Sequence, residues 1–147
     1  MSDTPSSTVL YEARGAVGLV TLNRPQNLNS FNRQMHHDLW AALTQAEADT
    51  RIRALVITGA GRGFCAGADL VDFDFTPGPD LVERANPGPI IDQAFNPTVR
   101  KLQALRMPII AAVNGVAAGA GASLVMTCDI AIASPQASFI QAFSKIG

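Results

Sequence analysis

Two continuous apolar runs each lead directly into a glycine-rich turn, and this repeated arrangement strongly constrains the fold of the 147-residue chain. The run Ala54–Thr58 precedes the glycine-rich stretch 59–67, and the run Pro108–Val113 precedes a second such stretch at 114–121. A continuous apolar run is typical of a strand that is covered on both faces, as in a parallel sheet. In open parallel sheets ligands bind beyond the carboxyl ends of the strands, where these two turns would lie.

The other segments complete an alternating pattern of strands and helices. Val9–Ala13 and Val17–Leu22 predict a hairpin, and Ile130–Ala133 predicts a further strand. Helices are expected at 90–105, where a proline interrupts the pattern, and at 117–127. This alternation favours an α/β fold with a largely parallel sheet.

A long helix is predicted between Ser30, its expected N-cap, and about Asp49. Its apolar residues recur at helical spacing and define one face: Met35, Leu39, Leu43 and Ala46. His36 and His37 are neighbours that point in different directions, and we expect both at the surface. Neither histidine has a cysteine or serine partner at a recognised spacing, and we predict no metal site.

Composition narrows the classes of function. Charged residues make up 16% of the chain and apolar residues 48%, which excludes a disordered chain. A net charge of −1 provides no basic surface for a nucleic-acid partner. Cys65 and Cys128 lie outside any CxxC pattern, so they predict neither a disulfide framework nor a zinc site. The polar N-terminus lacks the pattern of a signal peptide, and we expect a cytoplasmic location.

The length corresponds to one domain spanning residues 1–147. Within it we expect a disordered tail over residues 1–8 and a mobile loop over residues 76–89, which is rich in proline, glycine and aspartate. Because a parallel sheet does not leave its faces open to water, we also expect another chain, or further sequence, to cover part of this one.

The stretch 109–128 raises the alternative of a membrane span, since it contains 20 residues without a charge. Its high alanine and glycine content, the Asn-Gly pair in its middle and the absence of an aromatic belt argue against this alternative. We therefore predict a buried strand, a turn and a buried helix here, and no contact with a membrane.

The first glycine-rich stretch does not match the usual phosphate-binding motifs. Phe64 occupies the position of the third glycine in GxGxxG, and no GxxxxGK[ST] sequence is present. Small residues at such turns leave peptide N–H groups uncovered. Two of these groups, one from each turn, could converge on one developing oxyanion. The alternative is that the glycines only allow tight turns against packed helices.

Four segments taken together resemble the crotonase (enoyl-CoA hydratase/isomerase) superfamily. They are LNRPQNLN at 22–29, TGAGRGFCAGADL at 58–70, PIIAAVNGVAAGAGAS at 108–123 and CDIAIA at 128–133. The resemblance extends over residues 9–147 with the order and spacing of the motifs intact. It implies a crotonase-like ββα spiral core with a largely parallel sheet, lacking the C-terminal helical part that completes the acyl pocket. It also implies a homo-oligomer, a trimer or a hexamer.

The resemblance also implies the residues of a substrate site. The backbone amides of Ala68 and Ala120 are the implied oxyanion hole. Coenzyme A is carried as part of the substrate, so no separate cofactor is expected. Its implied contacts are Arg24, Asn27, Leu28, Ala66, Gly67, Ala68, Asp69 and Leu70. Of these, Arg24 is near enough to serve a phosphate, and Asp69 is interpreted as a helix cap rather than a base.

Two positions depart from the hydratase pattern. Hydratases of this family use two glutamates, and alignment of the motifs puts Ser123 and Phe143 in their places. Neither side chain acts as a general base near neutral pH, so hydration is disfavoured. The motifs NGVAAGAGA at 114–122 and SFxxAFSKIG at 138–147 resemble those of the subgroup that isomerises ring-epoxidised phenylacetyl-CoA. In that subgroup a catalytic aspartate lies shortly beyond the last motif.

We therefore expect an acyl-CoA isomerase, acting on a double bond or a ring epoxide, that stabilises a thioester enolate in an oxyanion hole. Two alternatives stay open. One is an enoyl-CoA hydratase. The other is a non-catalytic acyl-CoA-binding or assembly module, because the expected acid/base carboxylate does not occur within these residues.

Overall fold

A computed structural model describes residues 7–141 and 143 of the chain. The described part contains eight strands, divided between two sheets. They are β1 (Val9–Arg14), β2 (Val17–Leu22), β3 (Ala54–Gly59), β4 (Gly63–Cys65), β5 (Ile109–Val113), β6 (Val116–Ala118), β7 (Ile130–Ala133) and β8 (Ser138–Ile140).

Helices connect most of these strands. They are α1 (Arg33–Ala48), α2 (Leu81–Arg84), α3 (Gly88–Ile90), α4 (Asn96–Ala104) and α5 (Ala120–Thr127). One turn of 3₁₀-helix covers Pro25–Asn27 and another covers Leu70–Asp72. A π-helical turn, Ile91–Phe95, joins α3 to α4, so the chain is helical without a break from 88 to 104.

Both sheets are mostly parallel, which confirms the predicted α/β class. The larger sheet has the order β1-β2-β3-β5-β7, and only the β1–β2 hairpin within it is antiparallel. The smaller sheet has the order β4-β6-β8 and is parallel throughout. The predicted apolar runs are the buried strands β3 and β5, and each leads into a turn that enters the smaller sheet.

Helix α1 packs against the hairpin through the apolar face that the sequence predicts. Its N-cap, however, is Asn32 and not Ser30 as predicted. The Asn32 side chain accepts a hydrogen bond from the amide of Met35, 2.9 Å away, and so satisfies an amide of the first turn.

The prediction of a surface position for His36 is wrong. Its ring stacks on Phe31 with centroids 4.8 Å apart and meets the edge of Phe95 at 4.4 Å, so the side chain is buried between α1 and the π-helical turn. His37 is exposed as predicted.

The predicted helix over 117–127 begins three residues later than expected. Val116–Ala118 form a strand, and the helix begins at Ala120, after Gly119 with φ +50°. Pro97 does not end the helical stretch: the irregularity there is the change from the π-helical turn Ile91–Phe95 to α4 just before it, and the chain stays helical to Ala104.

The segments predicted to be disordered or mobile carry some defined contacts. Most of the 1–8 tail lies outside the described residues, although the amide of Thr8 donates to the Asp38 carboxylate at 2.9 Å. The loop 76–89 contains α2, in which Arg84 pairs with Asp74 and Asp80. Disorder of the tail and mobility of the loop stay predictions.

No helix in the described part of the chain is long and apolar enough to cross a membrane. The uncharged stretch 109–128 is divided among β5, β6 and α5, as the strand-turn-helix interpretation predicts apart from the extra strand.

An apolar surface is exposed near the last strands. Its large side chains are Met126, Ile130, Ile132, Phe139 and Ile140. Every residue of β7 and β8 is exposed. This exposure is consistent with the expectation that further polypeptide covers this side, and a homo-oligomer stays a prediction.

Leu43 and Leu10 offer a matched test of where the core lies. Leu43 is fully buried in α1, whereas Leu10 on β1 is 47% exposed. We expect Leu43→Ala to lower the free energy of unfolding by about 2–5 kcal/mol, because it leaves a cavity. Leu10→Ala should change it by about 0.5 kcal/mol or less. Urea denaturation with an unchanged m-value measures both, and equal losses would contradict this core.

Candidate functional site

The candidate site is built from two chain corners that touch backbone to backbone. The first corner is the glycine-rich stretch 59–67, and the second corner is the stretch 114–121. A Cβ atom on Gly115, in the turn after β5, would lie 2.0 Å from the carbonyl oxygen of Arg62. A Cβ atom on Gly121, in α5, would lie 2.1 Å from the carbonyl oxygen of Cys65. Contacts this short exclude any side chain at these two positions, so the sequence has glycine there. The two predicted glycine-rich turns therefore form one structure.

Two asparagine side chains hold the first corner in place. The side-chain amides of Asn29 and Asn114 both donate to the carbonyl oxygen of Gly63, at 2.9 and 3.1 Å. The Asn114 side-chain oxygen also accepts from the amide of Gly59, at 3.0 Å. Neither role is visible in the sequence, where the Asn114–Gly115 pair is only a turn signal.

The segment that contains Ala68 pairs with the chain just before α1. The amide of Phe31 donates to the carbonyl of Gly67 and the amide of Asp69 donates to the carbonyl of Phe31, both at 2.7 Å. In an extended segment, successive N–H groups point to opposite sides. The N–H of Ala68, between these two bonded residues, therefore points away from Phe31.

Ala120 is the first residue of α5, and its amide lies beside the same segment. The N-cap, Gly119, has no side chain to cap the helix. A Cβ atom on Gly67 would lie 3.4 Å from the nitrogen of Ala120. Covalent geometry then limits the distance between the nitrogens of Ala68 and Ala120 to about 7 Å. Two donors that share one oxygen are separated by up to about 6 Å. The bound therefore permits a shared acceptor, and convergence of the two amides on one oxygen stays a prediction.

The thiol of Cys65 lies under the contact between β4 and α5. Burial raises its pKa to about 12, which outweighs a backbone hydrogen bond from Gly67 that acts in the opposite direction. The thiol is therefore neutral at physiological pH and is not a nucleophile.

Arg24 and Asp69 form an ion pair beside Ala68. The Arg24 guanidinium donates to the Asp69 carboxylate at 2.8 Å, and the two side chains are only 12% and 13% exposed. Asp69 also caps the following 3₁₀ turn by accepting from the amide of Val71. Burial by itself raises the pKa of Asp69, but the hydrogen bonds from Arg24 and Val71 outweigh it and lower that pKa. The interpretation of Asp69 as a cap is confirmed.

The implied coenzyme A contacts come from two segments that the structure brings together. The amide of Ala66 donates to the carbonyl of Leu28 at 2.9 Å, which joins residues 24–28 to residues 66–70. Leu28 has φ +49°, a strained conformation for a branched side chain. The contacts of these residues with coenzyme A stay predictions.

The two positions that depart from the hydratase pattern lie against the second corner. The Ser123 hydroxyl donates to the carbonyl of Gly119 at 3.3 Å. The ring of Phe143 lies 3.7 Å from the position of a Cβ atom on Gly119. Both therefore adjoin the residue before Ala120, and neither supplies a carboxylate there.

A separate cavity of about 610 Å³ lies at the other end of β5. Its lining includes Arg106, Pro108 and Asp129, near the start of that strand. The two corners lie at the carboxyl end of β5, so this cavity is distinct from the candidate site.

Comparison with known proteins identifies the architecture. A solved enoyl-CoA hydratase from Mycobacterium avium subsp. paratuberculosis K-10 superposes with a TM-score of 0.78 and 35% identity, over 98% of this chain and 54% of that one. A monofunctional enoyl-CoA isomerase from M. smegmatis superposes with a TM-score of 0.70 and 32% identity, over 91% of this chain and 53% of that one. The mostly parallel α/β architecture is that of the crotonase fold.

The sequence matches agree with this fold. The enoyl-CoA hydratase/isomerase family matches residues 12–147, and the chain belongs to that family. It is 50% identical over 142 residues to the 1,2-epoxyphenylacetyl-CoA isomerase of Escherichia coli (strain K12), which covers 95% of this chain and 52% of that protein. The chain thus spans about half the length of the curated relatives that it matches.

Asn29→Asp tests whether the hydrogen bonds from the Asn29 side chain hold the first corner. The two side chains have the same shape, and both residues tolerate the φ of +56° at this position. The introduced carboxylate cannot donate to the carbonyls of Ala60 and Gly63 that Asn29 now satisfies. We expect a loss of about 2–4 kcal/mol in the free energy of unfolding at pH 7.

Asn86→Asp is the control for this substitution. The exposed side chain of Asn86 accepts a hydrogen bond from the amide of Gly88, and a carboxylate does this equally well. Its cost should stay within about 0.5 kcal/mol. Chemical denaturation measures the free energy of unfolding of both variants. Similar losses in the two variants would mean that Asn29 does not hold the first corner.

The lowered pKa of Asp69 predicts a pH-dependent contribution to stability. Because the folded-state pKa of Asp69 lies below its ordinary value of 3.8, the stabilisation is present above about pH 4 and is lost as the pH falls through the folded-state pKa. The difference in unfolding free energy between wild type and Asp69→Asn should be constant from pH 6 to 8, as measured by denaturation at about eight pH values, and should shrink toward about pH 2.

The exposed pair of Glu12 and Arg14 provides the comparison for Asp69. Its donor-acceptor distance is also 2.8 Å, but both side chains are more than half exposed. Salt at about 1 M should remove most of the effect of Glu12→Gln and much less of the effect of Asp69→Asn. Equal screening of the two effects would contradict a protected Arg24–Asp69 pair.

Proposed function

We propose that the chain binds an acyl-CoA thioester and stabilises its enolate through the amides of Ala68 and Ala120, as part of an isomerase. The observation that carries this proposal is the close approach of the two segments that contain these amides: a Cβ atom on Gly67 would lie 3.4 Å from the nitrogen of Ala120. One donor comes from each of the two corners, and side chains are excluded where the corners meet.

The proposed chemistry follows from where charge develops. When a proton leaves the carbon next to the thioester, negative charge accumulates on the carbonyl oxygen. Two fixed amide donors stabilise that charge more than they stabilise the neutral substrate, and removing one such donor typically costs about 10²- to 10³-fold in rate. The amino end of α5 points its partial positive charge toward the same oxygen when Ala120 donates.

Isomerisation is favoured over hydration by the side chains around the second corner. Hydration needs groups that hold a water molecule and deliver its proton. The Ser123 hydroxyl is hydrogen-bonded to the carbonyl of Gly119, and Phe143 is apolar. The Asp69 carboxylate already accepts hydrogen bonds from Arg24 and from the amide of Val71. The resemblance to an epoxyphenylacetyl-CoA isomerase supports the same choice. We place the carboxylate that moves the proton outside residues 1–147.

Segments 24–28 and 66–70 are the proposed surface for coenzyme A, which enters as part of the substrate. The segment 66–70 contains Ala68, and the segment 24–28 is hydrogen-bonded to it through Leu28 and Ala66. A thioester held along both segments would present its carbonyl near the amide of Ala68. A non-catalytic acyl-CoA-binding module is the second candidate function, and it is favoured because neither Ser123 nor Phe143, which adjoin Gly119, carries a carboxylate. Binding is common to the two candidates, and proton transfer distinguishes them.

Ala120→Pro removes the amide hydrogen of residue 120 while preserving its place at the start of α5, because proline is well tolerated at the first position of a helix. We expect affinity for acetoacetyl-CoA, whose enolate form carries charge on the thioester oxygen, to fall about 10- to 100-fold, the effect of one charge-assisted hydrogen bond. Isothermal calorimetry measures this change.

Arg33→Pro is the matched control, since Arg33 is the exposed first residue of α1 and follows Asn32 in an extended conformation. Its affinity should equal that of the wild type. Equal loss of affinity in both proline variants, or no loss in either, would contradict the assignment of Ala120.

Turnover by the 147-residue chain separates the two candidate functions. We expect calorimetry to detect binding of an acyl-CoA by the chain. Assays with a 3-enoyl-CoA and with ring-epoxidised phenylacetyl-CoA should detect turnover only when a carboxylate from outside this chain is supplied. Turnover by the chain alone would show that it contains its own base. Failure to bind any acyl-CoA would contradict both candidate functions.

A further inference from the structure

The Arg24–Asp69 ion pair connects the two chain segments that hold Ala68. One guanidinium nitrogen of Arg24, Nη1, donates to the Asp69 carboxylate at 2.8 Å and to the carbonyl of Ser30 at 2.6 Å, with a longer contact of 3.5 Å to the Ser30 hydroxyl. Ser30 directly precedes Phe31, and Asp69 directly follows Ala68. The side chain of Arg24 therefore holds together both sides of the bridge between Phe31 and Ala68.

The position of Arg24 is itself fixed by Asn29. The amide of Arg24 donates to the side-chain oxygen of Asn29 at 2.8 Å, and the amide of Asn29 donates to the carbonyl of Arg24 at 2.9 Å. Asn29 in turn donates to the carbonyl of Gly63 in the first corner. A continuous set of hydrogen bonds thus runs from the first corner through Arg24 to Asp69.

We infer that Arg24 and Asp69 are positioning residues that orient the amide of Ala68 toward the substrate oxygen, an inference that rests on the proposed function. This role differs from the predicted contact of Arg24 with a phosphate of coenzyme A. The two side chains are largely buried and face each other, and Asp69 contributes nothing to binding an anion. An arginine reserved for phosphate would have no need of a buried carboxylate partner.

Hydrogen exchange in the 147-residue chain without ligand tests whether the Arg24–Asp69 pair holds the segment 66–70. Arg24→Lys keeps the charge but cannot reproduce the planar guanidinium, and Asp69→Asn keeps the shape. We expect peptides covering residues 66–70 to exchange about 10- to 100-fold faster in either variant. The double variant should exchange no faster than the faster single variant, because the two residues act as one unit.

Arg14→Ala is the control for exchange. It breaks an exposed ion pair with the same 2.8 Å distance on the β1–β2 hairpin, away from the site. Exchange of peptides 66–70 should not change in this variant. Additive effects of Arg24→Lys and Asp69→Asn, or unchanged exchange in both, would overturn the inference.

A second measurement separates positioning from phosphate binding. The ¹³C chemical shift of the thioester carbonyl reports its polarisation by the two amides, and the probes are butyryl-CoA and butyryl-pantetheine labelled at that carbon. A positioning role predicts that both variants lose the bound-state shift for both ligands, while affinity for butyryl-CoA changes less than about threefold. Arg14→Ala should behave as wild type.

The opposite pattern would overturn the inference. If Arg24 binds a phosphate, Arg24→Ala weakens butyryl-CoA by about tenfold or more, leaves butyryl-pantetheine unaffected and preserves the carbonyl shift, while Asp69→Asn weakens neither ligand. Failure of the wild-type chain to bind either ligand would contradict the proposed function instead, and it is detected before any variant is compared.

Discussion

Direct contact between two backbone corners is the constraint on which the rest of the site depends. Where Gly115 meets Arg62 and Gly121 meets Cys65, no side chain separates the two pieces of chain. At these two contacts no side chain is available for packing, and hydrogen bonds from Asn29 and Asn114 to the carbonyl of Gly63 hold the first corner. Peptide groups held in this way form the kind of environment that stabilises charge without reorganising.

Strain and buried polarity are concentrated in the same region. Leu28 adopts a left-handed conformation that costs about 1–2 kcal/mol for a residue with a Cβ atom. Its carbonyl accepts from Ala66, and its side chain packs beside Gly63. In a chain with few charges, the Arg24–Asp69 pair is also largely shielded from water. Strain and shielded charge persist only where the surrounding structure determines them, and here that structure is the contact between the loop 23–31 and the segment 66–70.

The parts of the fold that the sequence predicts well are those with a local signal. The strands β3 and β5 are continuous apolar runs, β2 belongs to the predicted hairpin, and the buried face of α1 follows from helical spacing. The failures have long-range causes. Val116–Ala118 have helical composition but pair with β4 and β8, and tertiary pairing outweighs local propensity.

The same distinction applies to the site. The glycine-rich turns are visible in the sequence, and so is the position of Asp69 as a cap. The partners of His36, Asn29 and Arg24 are not visible, because each lies far along the chain: Phe95 for His36, Gly63 for Asn29 and Asp69 for Arg24. The family resemblance indicates which amides matter, but only the coordinates indicate what holds them.

The strand order has a consequence for how the chain is assembled. Along the chain, strands join the larger sheet in the order β1, β2, β3, β5 and β7, and the smaller sheet in the order β4, β6 and β8. Each new strand therefore pairs with an existing edge, and none is inserted between two strands that are already paired. During synthesis from the N-terminus, each sheet edge that has already formed provides the template for the next strand of that sheet. Ribosome-bound nascent chains can thus acquire native pairing progressively as they emerge.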